Sequence, residues 1–102
     1  MRIPRHPTLL RRMIQTRVRE LVARCPPLAA CLGRQRSGGW QVTWKERGKT
    51  RTVYVPQDLK EEVERWIGEH RRLRRLVAEI TRLQLALIRG HRTWQDRRGG
   101  RR

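Results

Sequence analysis

The 102-residue chain has no phenylalanine, two cysteines, three lysines and only nine acidic residues. Each scarcity closes a route. Without Phe, the four tryptophans must carry most of the aromatic burial. Two cysteines, Cys25 and Cys31, are too few for a disulfide scaffold, and the expected compartment is a reducing cytoplasm. No run approaches the roughly 18 apolar residues that cross a bilayer, so no membrane role is expected. Cys25 and Cys31 lack a second close Cys/His pair, so no metal site and no cofactor is expected. The three histidines stand singly, without a nucleophile beside them or an acidic pair on a common face. The chain therefore reads as non-catalytic.

What is abundant is positive charge. The 26 basic residues give a formal net charge of +17. Residues 1–36 hold nine Arg against Glu20, residues 37–70 balance six basic with six acidic residues, and residues 71–102 hold eleven Arg against Glu79 and Asp96. A neutral centre between basic flanks predicts a polyanion partner, because neutralising phosphates releases condensed counterions. The first thirty residues are Arg-rich and acid-poor like a transit peptide, but Leu9 to Val22 is better explained as a helix of the fold.

The clearest local signal lies between Ser37 and Pro56. Trp40, Val42 and Trp44 alternate with Gln41, Thr43 and Lys45, the period of a half-buried strand. Arg47-Gly48 then supplies a two-residue turn, with Gly free to take positive φ. That turn sets the register: Glu46 opposite Lys49, Trp44 opposite Arg51, Val42 opposite Val53, Trp40 opposite Val55. One face collects Trp40, Trp44 and three valines. The other collects Gln41, Thr43, Lys45, Thr50, Thr52 and Tyr54.

On either side, helical spacing dominates. Pro7-Thr8 opens a first helix, capped by Thr8, with Leu9, Leu10, Met13, Ile14, Val18, Leu21 and Val22 recurring along it. Cys25-Pro26-Pro27 is expected to end it, Leu28 to Leu32 to add a turn, and Gly33 to Gly39 to be a flexible connector. After Pro56, Asp58 with Glu61 has the form of a capping box for a long helix. Its apolar seam is drawn through Leu59, Val63, Trp66, Leu73, Val77, Ile80, Leu83 and Leu87, with Gly90 as its end. From Asp58 to Arg89 such a helix spans roughly 47 Å. The expected fold is thus α+β: an N-terminal helix, a two-stranded antiparallel hairpin and a long C-terminal helix. Residues 1–6 are read as a flexible arm, 7–92 as a single domain and 93–102 as a disordered basic tail.

Three sets of residues are candidates for nucleic-acid contact. Arg71, Arg75, Arg82 and Arg89 fall within about 40° of one another on a helical projection, opposite the seam. Lys45, Arg47 and Lys49 stand at the hairpin's end, where a two-stranded ribbon can meet a major groove. Arg11 and Arg12 add charge from the first helix. The competing expectation is a protein-interaction module. It follows from the seam's far end, where Ile80, Leu83, Leu87 and Ile88 require a partner protein or self-association to cover them.

Residues Cys25 to about Arg92 resemble a small bacterial family of unknown function. Its members join a short cysteine motif to a β-ribbon and a long charged helix. The ribbon motif is matched here by Trp44, Gly48-Lys49-Thr50 and Tyr54-Val55-Pro56. Relatives carry a compact C-G-x-x-x-C-x-C cluster followed by Gly-Pro-Tyr. This chain has Cys25-Pro26-Pro27, a lone Cys31 and Gly38-Gly39-Trp40 instead, so the resemblance implies no metal site here. The family's link to mobile genetic elements implies a nucleic-acid setting, as an accessory subunit of a DNA- or RNA-processing assembly.

Overall fold

The computed structural model of the chain describes residues 2–99, with side chains as far as His91. Its order is α1 (Pro7–Arg19), β1 (Cys31–Arg34), β2 (Trp40–Glu46), β3 (Lys49–Val55), a 3-10 turn at Gln57–Leu59, and α2 (Lys60–Gly99). The α+β class stands, with one strand more than expected. The chain divides into two compact units: a central one, Ala23–Leu73, and a terminal one that runs through Val22 and resumes at Arg74. The sequence reads as one domain, and α2 contributes to both units.

In the central unit the sheet is antiparallel with order β1-β2-β3. The hairpin register matches the expectation at every pair from Trp40 opposite Val55 to Glu46 opposite Lys49. Its turn has positive φ at both Arg47 (51°) and Gly48 (82°), the conformation whose twist matches that of the flanking strands. The extra strand overturns the two readings made for residues 28–39. Cys31–Arg34 pairs with Trp40–Thr43, and a five-residue loop with Gly38 at φ 97° joins them. Leu and Ala are good helix formers, which favoured a helical turn. Pairing along the free edge of β2 outweighs that preference, because it satisfies a row of backbone donors and acceptors.

Leu32 lies opposite Val42 and so joins the apolar face. Val42, Val55, Val63 and Ile67 form the buried centre, with Leu28, Ala30, Leu32, Trp40, Trp44 and Trp66 packed against it. Val53 shares that face yet is 51% exposed, so only two of the three hairpin valines enter the core. Residues 23–30 are fastened to α2. The Leu28 N–H donates to the Trp66 carbonyl at 3.0 Å, and the Cys25 thiol to the Arg65 carbonyl at 3.7 Å.

In the terminal unit the cap of α1 lies two residues before the expected Thr8. His6 is the N-cap, without a side-chain bond, and Pro7 is the first helical residue, where its fixed φ suits and its missing N–H costs nothing. The helix ends at Arg19, well before Cys25-Pro26-Pro27, with the Glu20 N–H closing on the Arg17 carbonyl. α1 lies antiparallel to α2. Arg17 Nε donates to Glu79 Oε1 at 2.8 Å, while Pro7 and Arg11 share a cleft with Leu87, Ile88 and His91. Leu10, Leu76, Ile80 and Leu83 are buried there.

The proposed capping box does not form: Pro56 is the N-cap of the 3-10 turn, with no side-chain bond, and α2 begins at Lys60. α2 continues through Gly68 and passes Gly90, the expected end, to reach Gly99. The expected tail, 93–102, falls where side chains are not described, and its residues 100–102 lie outside the described residues. The single seam also needs correction. Ile67 and Leu76 are buried although the seam omitted them, while Leu59 and Val77 are exposed. Each unit selects its own set of α2 residues, so one line drawn by periodicity does not hold along the helix.

Candidate nucleic-acid interface

The fold separates the proposed contacts into three places. On α2, Arg71, Arg75, Arg82 and Arg89 are all exposed, as is Arg74. Arg71 belongs to the central unit and Arg75, Arg82 and Arg89 to the terminal one. Among the described residues Arg71, Arg75 and Arg82 enter no ion pair, whereas Arg17, Arg51, Lys60, Arg65 and Arg72 do. Glu64, one of the few acids on the stripe's side of α2 by helical angle, is held by Lys60 at 3.0 Å one turn away. From Arg75 to Arg89 the guanidinium-bearing positions follow about 21 Å of helix axis, enough to pass several phosphates.

At the hairpin end Lys45, Arg47 and Lys49 are exposed but do not converge on one face. Lys45 stands opposite Thr50 on the polar face, and Lys49 stands opposite Glu46 on the face that carries Trp44. Arg47 is in the turn itself. Glu46 and Arg51 approach at 3.7 Å, both more than half exposed, a pairing of little energetic weight. On α1, Arg11 and Arg12 also diverge. Arg11 lines the cleft of ≈ 300 Å³ formed with Pro7, Leu87, Ile88 and His91. Arg12 borders a shallower hollow with His6, Thr8 and Leu9.

Two arginines of the basic flanks, Arg17 and Arg72, serve the fold. Arg17 is held by Glu79, and its Nη1 also donates to the Met13 carbonyl at 3.3 Å. Arg72 grips Glu69 with both Nε (2.9 Å) and Nη2 (2.8 Å). The Arg24 N–H donates to the same carboxylate at 2.7 Å. Glu69 is the buried charged residue of the central unit. The Arg72 guanidinium, and next the Arg24 N–H, hold its carboxyl at about 2 against an ordinary 4.5, outweighing the opposing effect of burial. The sequence reading missed this anchor, although the Glu–Arg spacing of three was there to see.

The tryptophans are also engaged. The Trp40 ring has Lys60 Nζ at 4.3 Å and Arg34 Cζ at 5.0 Å from its centroid, and Trp44 and Trp66 pack on the core. Cys25 is half-buried and Cys31 exposed, and among the described residues no three His, Cys, Asp or Glu gather to hold a metal ion. No described helix is long and apolar enough to cross a membrane. Ile80 and Leu83, which the sequence left to a partner chain, are buried within the terminal unit, while Leu85 (43%) and Ile88 (64%) stay exposed. No protein-family model, curated protein or solved structure matches the chain.

Proposed function

We propose that this protein binds nucleic acid without catalysis, as an accessory subunit of a DNA- or RNA-processing assembly. The ribbon-motif resemblance implies a mobile-element origin for such an assembly, and we read its setting as the cytoplasm. One observation carries the reading. Arg75, Arg82 and Arg89 stand exposed along one stretch of α2, two of them in no ion pair among the described residues, on a chain of net charge +17. Arginines already neutralised by carboxylates in ion pairs have less left to offer a phosphate, and among the described residues Arg75 and Arg82 enter no ion pair.

The test replaces Arg75, Arg82 and Arg89 together by Gln. Affinity for duplex DNA or RNA is expected to fall, and its dependence on log[salt] to flatten by up to about 0.9 per lost phosphate contact. The melting curve is expected to stay near that of the parent, because these positions are exposed. An unchanged salt slope removes α2 from the interface.

A second reading is favoured by Ile88, 64% exposed where it lines the cleft with Pro7, Arg11, Leu87 and His91, and by Val77, 51% exposed elsewhere on α2. On that reading α2 docks on a partner subunit or on a second copy. Such docking responds weakly to salt, which separates it from phosphate binding.

A further inference from the structure

The sheet has a second face that the core does not use. Across its three strands the registers align Gly33, Gln41 and Tyr54 in one row, then Cys31, Thr43 and Thr52, then Lys45 and Thr50. Cys31, Lys45, Thr50, Thr52 and Tyr54 are exposed, and the space above Gly33 is open, with nothing within 4 Å of where a Cβ would stand. Tyr54 is the one aromatic on this face and is 57% exposed. Its ring is seated on Gly39: a Cβ there would lie 2.9 Å from Tyr54 Cε1 and 3.1 Å from the Gln35 side-chain oxygen. A glycine at this position lets the ring settle against the backbone and still present itself to solvent.

We propose that this face takes an unpaired base of a single-stranded nucleic acid, stacked on Tyr54. The proposal rests on the nucleic-acid reading above and adds the class of strand and a second point of contact, in the central unit. Trp40, Trp44 and Trp66 are occupied by cations or by the core, so among the aromatics with described side chains Tyr54 is the ring left open. A base inside a duplex already has both faces stacked, so only an unpaired base can use the ring. Gln41, the neighbour of Tyr54 in the row, offers an amide to the base edge. Cations lie toward both ends for the strand's phosphates. Arg36 is exposed in the loop that contains Gly39, and Lys45 is about 14 Å from Gln41 along β2.

The experiment measures binding of labelled oligothymidine, oligouridine and a mixed-sequence duplex to the full chain by fluorescence anisotropy. Tyr54→Ala is expected to weaken single-strand binding by about five- to a hundredfold, the range that base–aromatic stacking covers, and to leave duplex binding as it was. Tyr54→Phe is expected to bind like the parent. Gly39→Ala, which lifts the ring from its seat without removing it, is expected to weaken the single strand alone. Far-ultraviolet circular dichroism on each variant checks that the sheet persists. The two oligonucleotides tell DNA from RNA. Parental single-strand affinity in Tyr54→Ala, or an equal loss on single strand and duplex, overturns the proposal and leaves the α2 interface standing. Parent protein that binds none of the three overturns both.

Discussion

Among the described residues the central and terminal units each bury four apolar side chains, yet they secure them by different means. In the central unit Val42, Val55, Val63 and Ile67 are enclosed by strands whose ladders fix the register, by flanking tryptophans and by the Glu69 anchor. In the terminal unit Leu10, Leu76, Ile80 and Leu83 sit between two helices joined by one described ion pair, Arg17 to Glu79. The charges differ as well. The terminal unit carries fifteen Arg against three acids, and the central unit eleven basic residues against six acids. The unit with the thinner scaffold therefore bears the greater self-repulsion.

Leu83→Ala probes that contrast most strongly. Leu83 is fully buried (0% exposed), and removing its branch opens a cavity that two helices cannot easily close. The expected cost is about 3–5 kcal/mol, enough to release α1 from α2. Amide exchange is then expected to accelerate in α1 while protection persists in β2 and β3. Uniform loss of protection through both units would show that they unfold as one, and the contrast would be void.

Trp44→Ala is the counterpart in the central unit. The ring packs on the Val42 cluster but is only half-buried, so the expected cost falls to about 2–4 kcal/mol, at or below the usual range for a buried aromatic. Urea denaturation followed by the remaining tryptophans measures it. A variant as stable as the parent would show that Trp44 contributes surface rather than core.

The same contrast explains what the sequence made legible. The hairpin register followed from the alternation at Trp40 to Trp44 and the Arg47-Gly48 turn, because local geometry alone determines it. β1 was misread because Leu28 to Leu32 is compositionally helical, and only a partner strand elsewhere in the chain decides its state. The α2 seam failed at Ile67 and Leu76 for a related reason: a helix's buried face depends on what covers it, and two units cover different stretches. Arg17 could not be told from its neighbours, since its acid lies 62 residues away. For the candidate site, the exposure of Arg71, Arg75, Arg82 and Arg89 was legible from helical angles. The divergence of Lys45 from Lys49 was implicit in the hairpin register. The seat of Tyr54 on Gly39 was not, because it depends on a loop whose shape β1 dictates.

The smallest expected effect concerns Glu69. In the native central unit its carboxyl titrates at about 2 instead of 4.5, chiefly because it accepts two bonds from the Arg72 guanidinium and one from the Arg24 N–H. A depressed carboxyl contributes stability that is fully present above its unfolded value. That contribution declines as pH falls from about 4.5 toward 2, where the unfolded chain takes up a proton that the native one resists. Urea midpoints measured across this window are expected to drop, and Glu69→Gln is expected to lower the midpoint near neutrality and to flatten the drop in acid. The bonds also tie residues 23–30 to α2, so exchange at the Arg24 amide is expected to quicken in the variant while the Val42–Val53 pairing stays protected. A Glu69→Gln protein with the parent's acid profile would show that the carboxylate is no anchor, and the central unit would then rest on its sheet and tryptophans alone.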